Sequence, residues 1–120
     1  MALSVTMDAA DAGRSLSPIV VSDRLKVTTG ELALTLGLAQ DALSKKSYLA
    51  SYSIQQRLRD FVAILKRATP WAGSEHASFA WYRSQPLPSF GDQTAEDLLK
   101  AGRAEAVIRY LDRTGSGGFA

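Results

Sequence analysis

The chain has 120 residues, of which 46% are hydrophobic, so it is long enough for one domain or for two small helical subdomains that share a core. It contains no cysteine, which excludes a disulfide scaffold and any thiolate metal site, and its formal net charge is only +2. No apolar run approaches the roughly 20 residues of a membrane span, and the first residues lack a signal-peptide pattern, so we expect a cytoplasmic protein without a membrane partner.

The first part of the chain is predicted to be a flexible tail followed by a short helix. Residues 1–16 are mostly small and polar and show no helical stripe. Ser17 followed by Pro18 is a helix-start signal, and the apolar residues after it predict a helix up to about Val27. The β-branched run of residues 19–21 is also compatible with a strand, but no second strand candidate lies nearby to pair with it.

The next segment has the spacing of a helix–turn–helix. Thr28 and Glu31 form the capping-box pattern T-x-x-E at the start of the first helix. Ala33 allows the two helices to approach closely, and Gly37 makes the turn. The second helix, AQDALSKKS, is predicted to pack back onto the first through Leu43.

If this motif binds DNA, its second helix lies in the major groove. Glutamine pairs with adenine, and lysine contacts guanine or phosphate, whereas an aspartate faces a polyanion poorly. Residues 17–68 hold eight Lys and Arg against four Asp and Glu, which weakly favours an anionic partner for this half. The alternative is a helical hairpin that does not bind DNA and whose polar face is solvated. In addition, Lys46 would occupy an inward position of the motif, where a lysine fits poorly. The predicted DNA contacts are Gln40, Asp41, Ser44, Lys45 and Lys46.

The longest predicted helix starts after Ser53, which is a candidate cap. Apolar residues then recur at steps of three and four, which predicts a core helix of about four turns. Pro70 disfavours helical geometry at Thr69, so we place a domain boundary after residue 68. The apolar residues of this stripe are Ile54, Leu58, Phe61, Val62, Leu65 and Ala68.

Three elements are predicted in the C-terminal half. Ser74 caps a helix that carries several aromatic residues and ends at the extended connector QPLP. Thr94 and Asp97 form a second capping box, and Gly102 stops that helix. The last helix, residues 103–113, carries one apolar stripe and should end near Thr114, because the glycine-rich run after it disfavours helix.

The aromatic residues Trp81 and Phe90 are expected to pack together over the last two helices, in a purely structural role. The sequence contains no phosphate-binding glycine loop, no paired metal ligands and no nucleophile elbow. The single histidine, His76, has no second ligand and no nucleophile beside it, so we expect a surface residue. We therefore predict a protein that is not an enzyme and has no catalytic residues, metal or cofactor.

A set of residues in the last forty positions follows a recognisable order. They are Trp81, Ser84, Pro86, Phe90, Gly91, Thr94, Asp97, Leu98, Leu99, Gly102, Val107, Leu111, Gly118, Phe119 and Ala120. This order resembles the C-terminal toxin-binding domain of Xre/MbcA/ParS-like antitoxins, over roughly residues 75–120. Ala95 stands where the family usually has a proline, and Tyr82 stands where a leucine usually follows the tryptophan.

The resemblance implies how the C-terminal half works. Antitoxins of this kind bind a RES-domain toxin, which consumes NAD⁺ or transfers a group from it, and their C-terminal end lies at or over the toxin's active-site cleft. By this resemblance the end of the chain would plug the cleft, and the last helix would belong to the surrounding contact surface. On the residues alone, a frayed terminus is the alternative. The implied toxin contacts are Arg103, Arg109, Arg113, Gly117, Gly118, Phe119 and Ala120.

The leading hypothesis is an all-α antitoxin, a small helical bundle with a flexible tail (1–16), an Xre-like helix–turn–helix domain (17–68) and a toxin-binding domain (69–120). The N-terminal half resembles an Xre-type helix–turn–helix and would bind the operator of its own genes, which normally needs a homodimer. Two alternatives remain. One is a stand-alone helix–turn–helix regulator whose C-terminal half only dimerises or senses a ligand. The other is a small helical adaptor whose helix–turn–helix is degenerate.

Overall fold

The fold was analysed in a computed structural model, which describes residues 16–43 and 51–116. Within these ranges the protein is helical and contains no strand, which confirms the expected all-α class. No helix there is both long and apolar enough to span a membrane. The elements are α1 (Pro18–Leu25), α2 (Thr29–Thr35), α3 (Tyr52–Ala72), α4 (Glu75–Ser84), a 3₁₀ turn (Pro88–Phe90), α5 (Ala95–Lys100) and α6 (Ala104–Ser116).

The chain forms two compact units, residues 1–59 and 60–120. It passes from the first to the second within α3. The boundary predicted after residue 68, between a DNA-binding and a toxin-binding domain, therefore lies inside a continuous helix. That assignment of functions to the two domains stays a prediction.

Helix α1 starts and stops on local backbone chemistry. The Ser17 hydroxyl accepts a hydrogen bond from the Val20 N–H at 3.4 Å, and Pro18 occupies the first turn. Lys26 adopts a left-handed conformation (φ 62°), and its N–H donates to the Asp23 carbonyl, so the helix ends slightly before the predicted Val27. The strand alternative for this segment is thereby excluded.

Helix α2 begins at the predicted capping box. The Thr28 hydroxyl accepts from the Glu31 N–H, and the Glu31 carboxylate accepts from the Thr28 N–H, both at 3.0 Å. After α2 the chain reverses at Gly37, whose φ of 77° is accessible mainly to glycine. The core of the first unit is built from Leu16, Val21, Leu25, Leu32, Ala33, Leu36, Ala42, Leu43, Ile54 and Leu58.

The segment after Gly37 departs from the predicted second helix where it is described. Residues 40–43 form hydrogen-bonded turns, and the Ala42 N–H donates to the Ala39 carbonyl at 2.9 Å. Leu43 is buried, as the helix–turn–helix pattern required. The rest of that predicted helix, residues 44–47, lies outside the described residues.

The start of α3 is held in the first unit by two long side chains. The Gln55 side-chain amide makes two hydrogen bonds with the Leu16 backbone, at 2.7 and 3.0 Å. Arg57 donates to the Leu36 carbonyl at the end of α2, at 2.8 Å. The helix begins at Tyr52, with the Ser51 hydroxyl 3.5 Å from the Ile54 nitrogen, so the prediction that Ser53 caps it was wrong.

The end of α3 also corrects the sequence-based expectation. The helix continues through Pro70 to Ala72, for 21 residues. Proline removes one N–H donor, and here it sits in the final turn, where the helix has few further bonds to lose. The preference of Thr69 for extended geometry is overridden because Leu65 and Ala68 are fully buried. Gly73 (φ 102°) then ends the helix, and its N–H donates to the Thr69 carbonyl.

The core of the second unit is organised around aromatic rings. Phe61 on α3 packs edge-on against Phe79 and Tyr82 on α4, with ring centroids 6.0 and 5.0 Å away. The Ser78 hydroxyl donates to the Leu65 carbonyl and joins the same two helices. Other buried apolar members are Val62, Ile64, Leu65, Ala68, Leu87, Ala95, Leu98, Leu99, Ala104, Val107 and Leu111.

We expect Leu111→Ala to destabilise the protein by roughly 2–5 kcal/mol, because Leu111 is 2% exposed and its truncation leaves a cavity in this core. Leu34→Ala, at a site that is 50% exposed, is the matched control and should change the free energy of unfolding by less than about 0.5 kcal/mol. Urea denaturation of both variants measures the difference. Equal midpoints for the two variants would show that α6 is peripheral to the core.

Candidate functional site

The connector between α4 and α5 is a tightly hydrogen-bonded loop rather than a free extended segment. Leu87, which is buried, donates its N–H to the Gln93 carbonyl at 2.9 Å in an isolated antiparallel bridge. The Leu87 carbonyl in turn accepts from the N–H groups of Phe90 and Asp92, at 2.8 and 3.0 Å. Gly91 and Asp92 both adopt φ 66° to close the turn. The loop is therefore fixed by its own backbone, with Leu87 as its anchor.

Helix α5 and the corner after it follow the predicted capping chemistry. The Thr94 hydroxyl accepts from the Asp97 N–H and the Asp97 carboxylate accepts from the Thr94 N–H, both at 3.1 Å. Gly102 turns the chain with φ 80°, and the Arg103 N–H donates to the Leu98 carbonyl at 2.8 Å. Proline is thus not needed at position 95, where the small Ala95 is completely buried.

Helix α6 separates an apolar side from an exposed side of mixed charge, which carries Glu105, Arg109, Asp112 and Arg113. Ala104, Val107 and Leu111 are buried as predicted, whereas Ile108 is only half-buried. The helix runs to Ser116, beyond the predicted end near Thr114. In the last turns the Thr114 hydroxyl donates to the Tyr110 carbonyl at 2.6 Å. The glycine at 115 does not end the helix, although glycine costs about 1 kcal/mol within one.

The three arginines implied as toxin contacts all lie on the exposed surface of α6 or directly before it. The Arg103 guanidinium lies over the Phe90 ring, 5.7 Å from its centroid. Arg109 pairs loosely with Glu105 at 3.5 Å, and both side chains are largely exposed. Arg113 is exposed in the last turns of the helix. The other implied contacts, Gly117, Gly118, Phe119 and Ala120, lie outside the described residues.

The aromatic pairing around α6 differs from the one expected. Trp81 packs edge-on against Trp71, with centroids 5.4 Å apart, and Phe90 packs edge-on against Tyr110 at 5.8 Å. The expected pairing of Trp81 with Phe90 is replaced by these two pairs, in which each ring packs against an aromatic residue of another element. Trp71 was not singled out in the sequence, since it lies beyond the proline that was expected to end α3.

An open apolar cavity is lined by three of these four rings, those of Trp71, Trp81 and Tyr110. Its volume is about 360 Å³, and most of its lining is aromatic, aliphatic or proline carbon. Three separate stretches of the chain build it: the end of α3, the end of α4 with the loop that follows, and the last turns of α6. The lining residues are Trp71, Trp81, Gln85, Pro86, Leu87, Pro88, Tyr110 and Thr114. Sequence reasoning singled out the QPLP connector as a turn but had no signal for a cavity.

A buried carboxylate joins α4 to α5. The Glu96 side chain is only 10% exposed. Its carboxylate oxygens form ion pairs with Lys100 Nζ at 2.8 Å and with Arg83 Nε at 3.3 Å. The Arg83 guanidinium also lies 6.0 Å from the centroid of the Phe79 ring. An unpaired buried carboxylate is costly, so both cations matter, but only the Arg83 pair links the two helices because Lys100 lies one turn from Glu96 on α5 itself. Among the described residues, no buried side-chain nitrogen or oxygen lacks a hydrogen-bond partner.

Of the predicted DNA contacts, Gln40 and Asp41 are exposed, while Ser44, Lys45 and Lys46 lie outside the described residues. The Gln40 side chain lies against Gly30 in the first turn of α2, so closely that a Cβ there would come within 3.0 Å of the Gln40 Cγ. His76 is exposed, as expected, and no group of metal-binding side chains occurs within the described ranges.

The second unit has the attributes of a small helical protein-binding domain: a fixed loop, an exposed aromatic pocket and a helix that presents arginines. Residues 67–117, which are less than half of the chain, match the antitoxin Xre/MbcA/ParS C-terminal toxin-binding domain. The second unit is therefore similar to a domain through which antitoxins bind a toxin. Neither a search of curated proteins nor a search of solved structures found a match.

We expect Glu96→Gln to lower the stability of the second unit by about 1–2 kcal/mol, since a neutral amide no longer attracts the two cations and their partial exposure limits the loss. Glu105→Gln makes the same chemical change at a carboxylate that is 83% exposed and should have almost no effect. Thermal denaturation at low and high salt tests the pair. A Glu96→Gln variant as stable as Glu105→Gln would mean that the buried charges do not join α4 to α5.

Proposed function

We propose that the protein is the antitoxin of a type II toxin–antitoxin pair and that it neutralises a RES-domain toxin by occupying the toxin's active-site cleft with residues 117–120. The match of residues 67–117 to a toxin-binding domain carries the proposal. The RES identity of the toxin, which consumes NAD⁺ or ADP-ribosylates a target, comes from the resemblance of the last forty residues. The protein acts by obstruction and needs no catalytic group or cofactor of its own.

The geometry of α6 supports this mode of action. Its apolar side is buried in the domain as far as Leu111, and the helix continues to Ser116. Gly117 and Gly118 follow directly, and residues without side chains can pass through a narrow opening that a helix cannot enter. Phe119 and Ala120 then present a compact apolar group to the cleft. The exposed Arg109 and Arg113 lie beside the exit point of the chain and suit an acidic rim on the toxin.

The N-terminal unit is proposed to bind the operator of the antitoxin's own genes as a homodimer. The capping box, the Gly37 turn and the buried Leu43 support a helix–turn–helix, and the excess of basic residues in 17–68 supports an anionic partner. DNA and toxin would both be met in the cytoplasm, with the dimer forming part of a larger toxin–antitoxin complex.

Deletion of Gly117–Ala120 should restore toxicity when the protein is co-expressed with a RES-type toxin from the adjacent gene, because the cleft is then left open. Replacement of the same four residues by Gly-Ser-Gly-Ser keeps the length and removes the apolar tip, so it should restore toxicity as well. Growth of the expressing cells and co-purification of the two proteins are the measurements. Full protection by the deleted chain would remove the plug from the mechanism.

Lys45→Glu combined with Lys46→Glu should abolish operator binding and leave toxin binding intact, since phosphate contacts depend on these charges. Arg109→Glu combined with Arg113→Glu is the reciprocal control and should weaken toxin binding while operator binding persists. Gel shifts at several salt concentrations and pull-down with the toxin give both readouts for both variants. If the lysine variant binds the operator as wild type does, the DNA-binding surface lies elsewhere.

A further inference from the structure

We propose that the aromatic cavity in the second unit is an anchor pocket for one apolar side chain, aromatic or branched aliphatic, on the rim of the toxin's cleft. This inference rests on the proposed function and adds a second contact to the plug. The walls of the cavity are Trp71, Trp81 and Tyr110, and its floor is the buried Leu87.

The chemistry of the lining selects an uncharged occupant. The cavity is walled mainly by ring and proline carbons, Gln85, Tyr110 and Thr114 carry polar side-chain groups, and no charged residue is among the lining residues. A charge placed there would find no partner, whereas an apolar group would lose part of its contact with water. Its volume of about 360 Å³ is near the lower end of the range for ligand sites, which suits a protruding side chain.

The pocket is formed before any partner arrives. The floor residue Leu87 is fixed by backbone bonds to Gln93, Phe90 and Asp92, and the indole wall is a T-shaped pair of Trp71 and Trp81. Preformed pockets avoid the ordering cost that weakens binding by flexible surfaces. Trp71 is nevertheless 40% exposed, and tryptophan is enriched among the residues that dominate binding energy at protein interfaces.

The position of the pocket identifies its occupant. Thr114 lines it, and residue 117, where the proposed plug begins, follows three positions later. Residues 117–120 span at most about 14 Å when fully extended. A cleft that receives Phe119 or Ala120 must therefore bring its rim close to the end of α6, whose Tyr110 and Thr114 line the pocket. Arg113, next to Thr114, is exposed, and the neighbouring Asp112 is paired with Arg67 at 2.8 Å, so Arg113 can meet a carboxylate on the rim.

Two variants of opposite kind test the pocket. Trp71→Ala removes one wall, and Gln85→Trp places a large ring at the mouth without removing any wall. Each should weaken binding to the purified RES-type toxin by about 30-fold or more, as loss of a dominant interface residue does. Tyr52→Ala, which removes an aromatic side chain 77% exposed in the other unit, and Gln93→Trp, on the same loop but outside the lining, should each change affinity by less than about fivefold.

Biolayer interferometry with immobilised toxin gives the affinities, and circular dichroism confirms that the variants remain folded. Affinities of Trp71→Ala and Gln85→Trp within about fivefold of wild type would overturn the pocket while leaving the antitoxin function standing. If the wild-type chain itself does not bind the toxin, the proposed function fails instead.

Two other possible occupants of the pocket, the chain's own residues 117–120 and a second copy of the chain, are tested on the protein without toxin. If the chain's own residues 117–120 fill the pocket, their deletion will shift the tryptophan fluorescence maximum; we expect no shift. If a second copy of the chain fills it, Trp71→Ala will lower the mass seen by sedimentation; we expect equal masses. Either change would reassign the pocket and overturn the proposal.

Discussion

The packing of Tyr82 against Phe61 is the interaction on which the second unit depends. Tyr82 is completely buried and lies edge-on to Phe61 at 5.0 Å, so it fixes α4 on α3. Because α4 is fixed, the loop after it starts from a defined point, and Leu87 returns to the core. The rigid loop, the cavity beside it and the position of α6 all follow from this first contact.

Local chemistry was the most predictable part of the molecule. The caps at Ser17, Thr28, Ser74 and Thr94 all form as their sequence patterns indicate, because each needs only residues within one turn. The apolar stripes of α3 and α6 were predictable for the same reason, since helical period alone decides which side is buried. The fold class therefore came from the sequence without knowledge of tertiary contacts.

The errors occurred where distant residues decide the outcome. Pro70 was expected to end α3, but burial of Leu65 and Ala68 carries the helix to Ala72. That extension brings Trp71 to Trp81, and this pairing explains both the wrong aromatic partner and the unpredicted cavity. The plug and most of the DNA contacts rest on the family resemblance and the residue pattern, since residues 44–50 and 117–120 lie outside the described ranges.

The shared helix α3 has a practical consequence for dissecting the protein. The family match begins at residue 67, near the end of α3, yet Phe61 and Val62 supply the interior against which α4 packs. A fragment cut to the matched segment would lose that interior, and one cut at residue 60 would begin in mid-helix without a cap. An excised toxin-binding fragment should therefore start at Ser51, so that the whole helix travels with it.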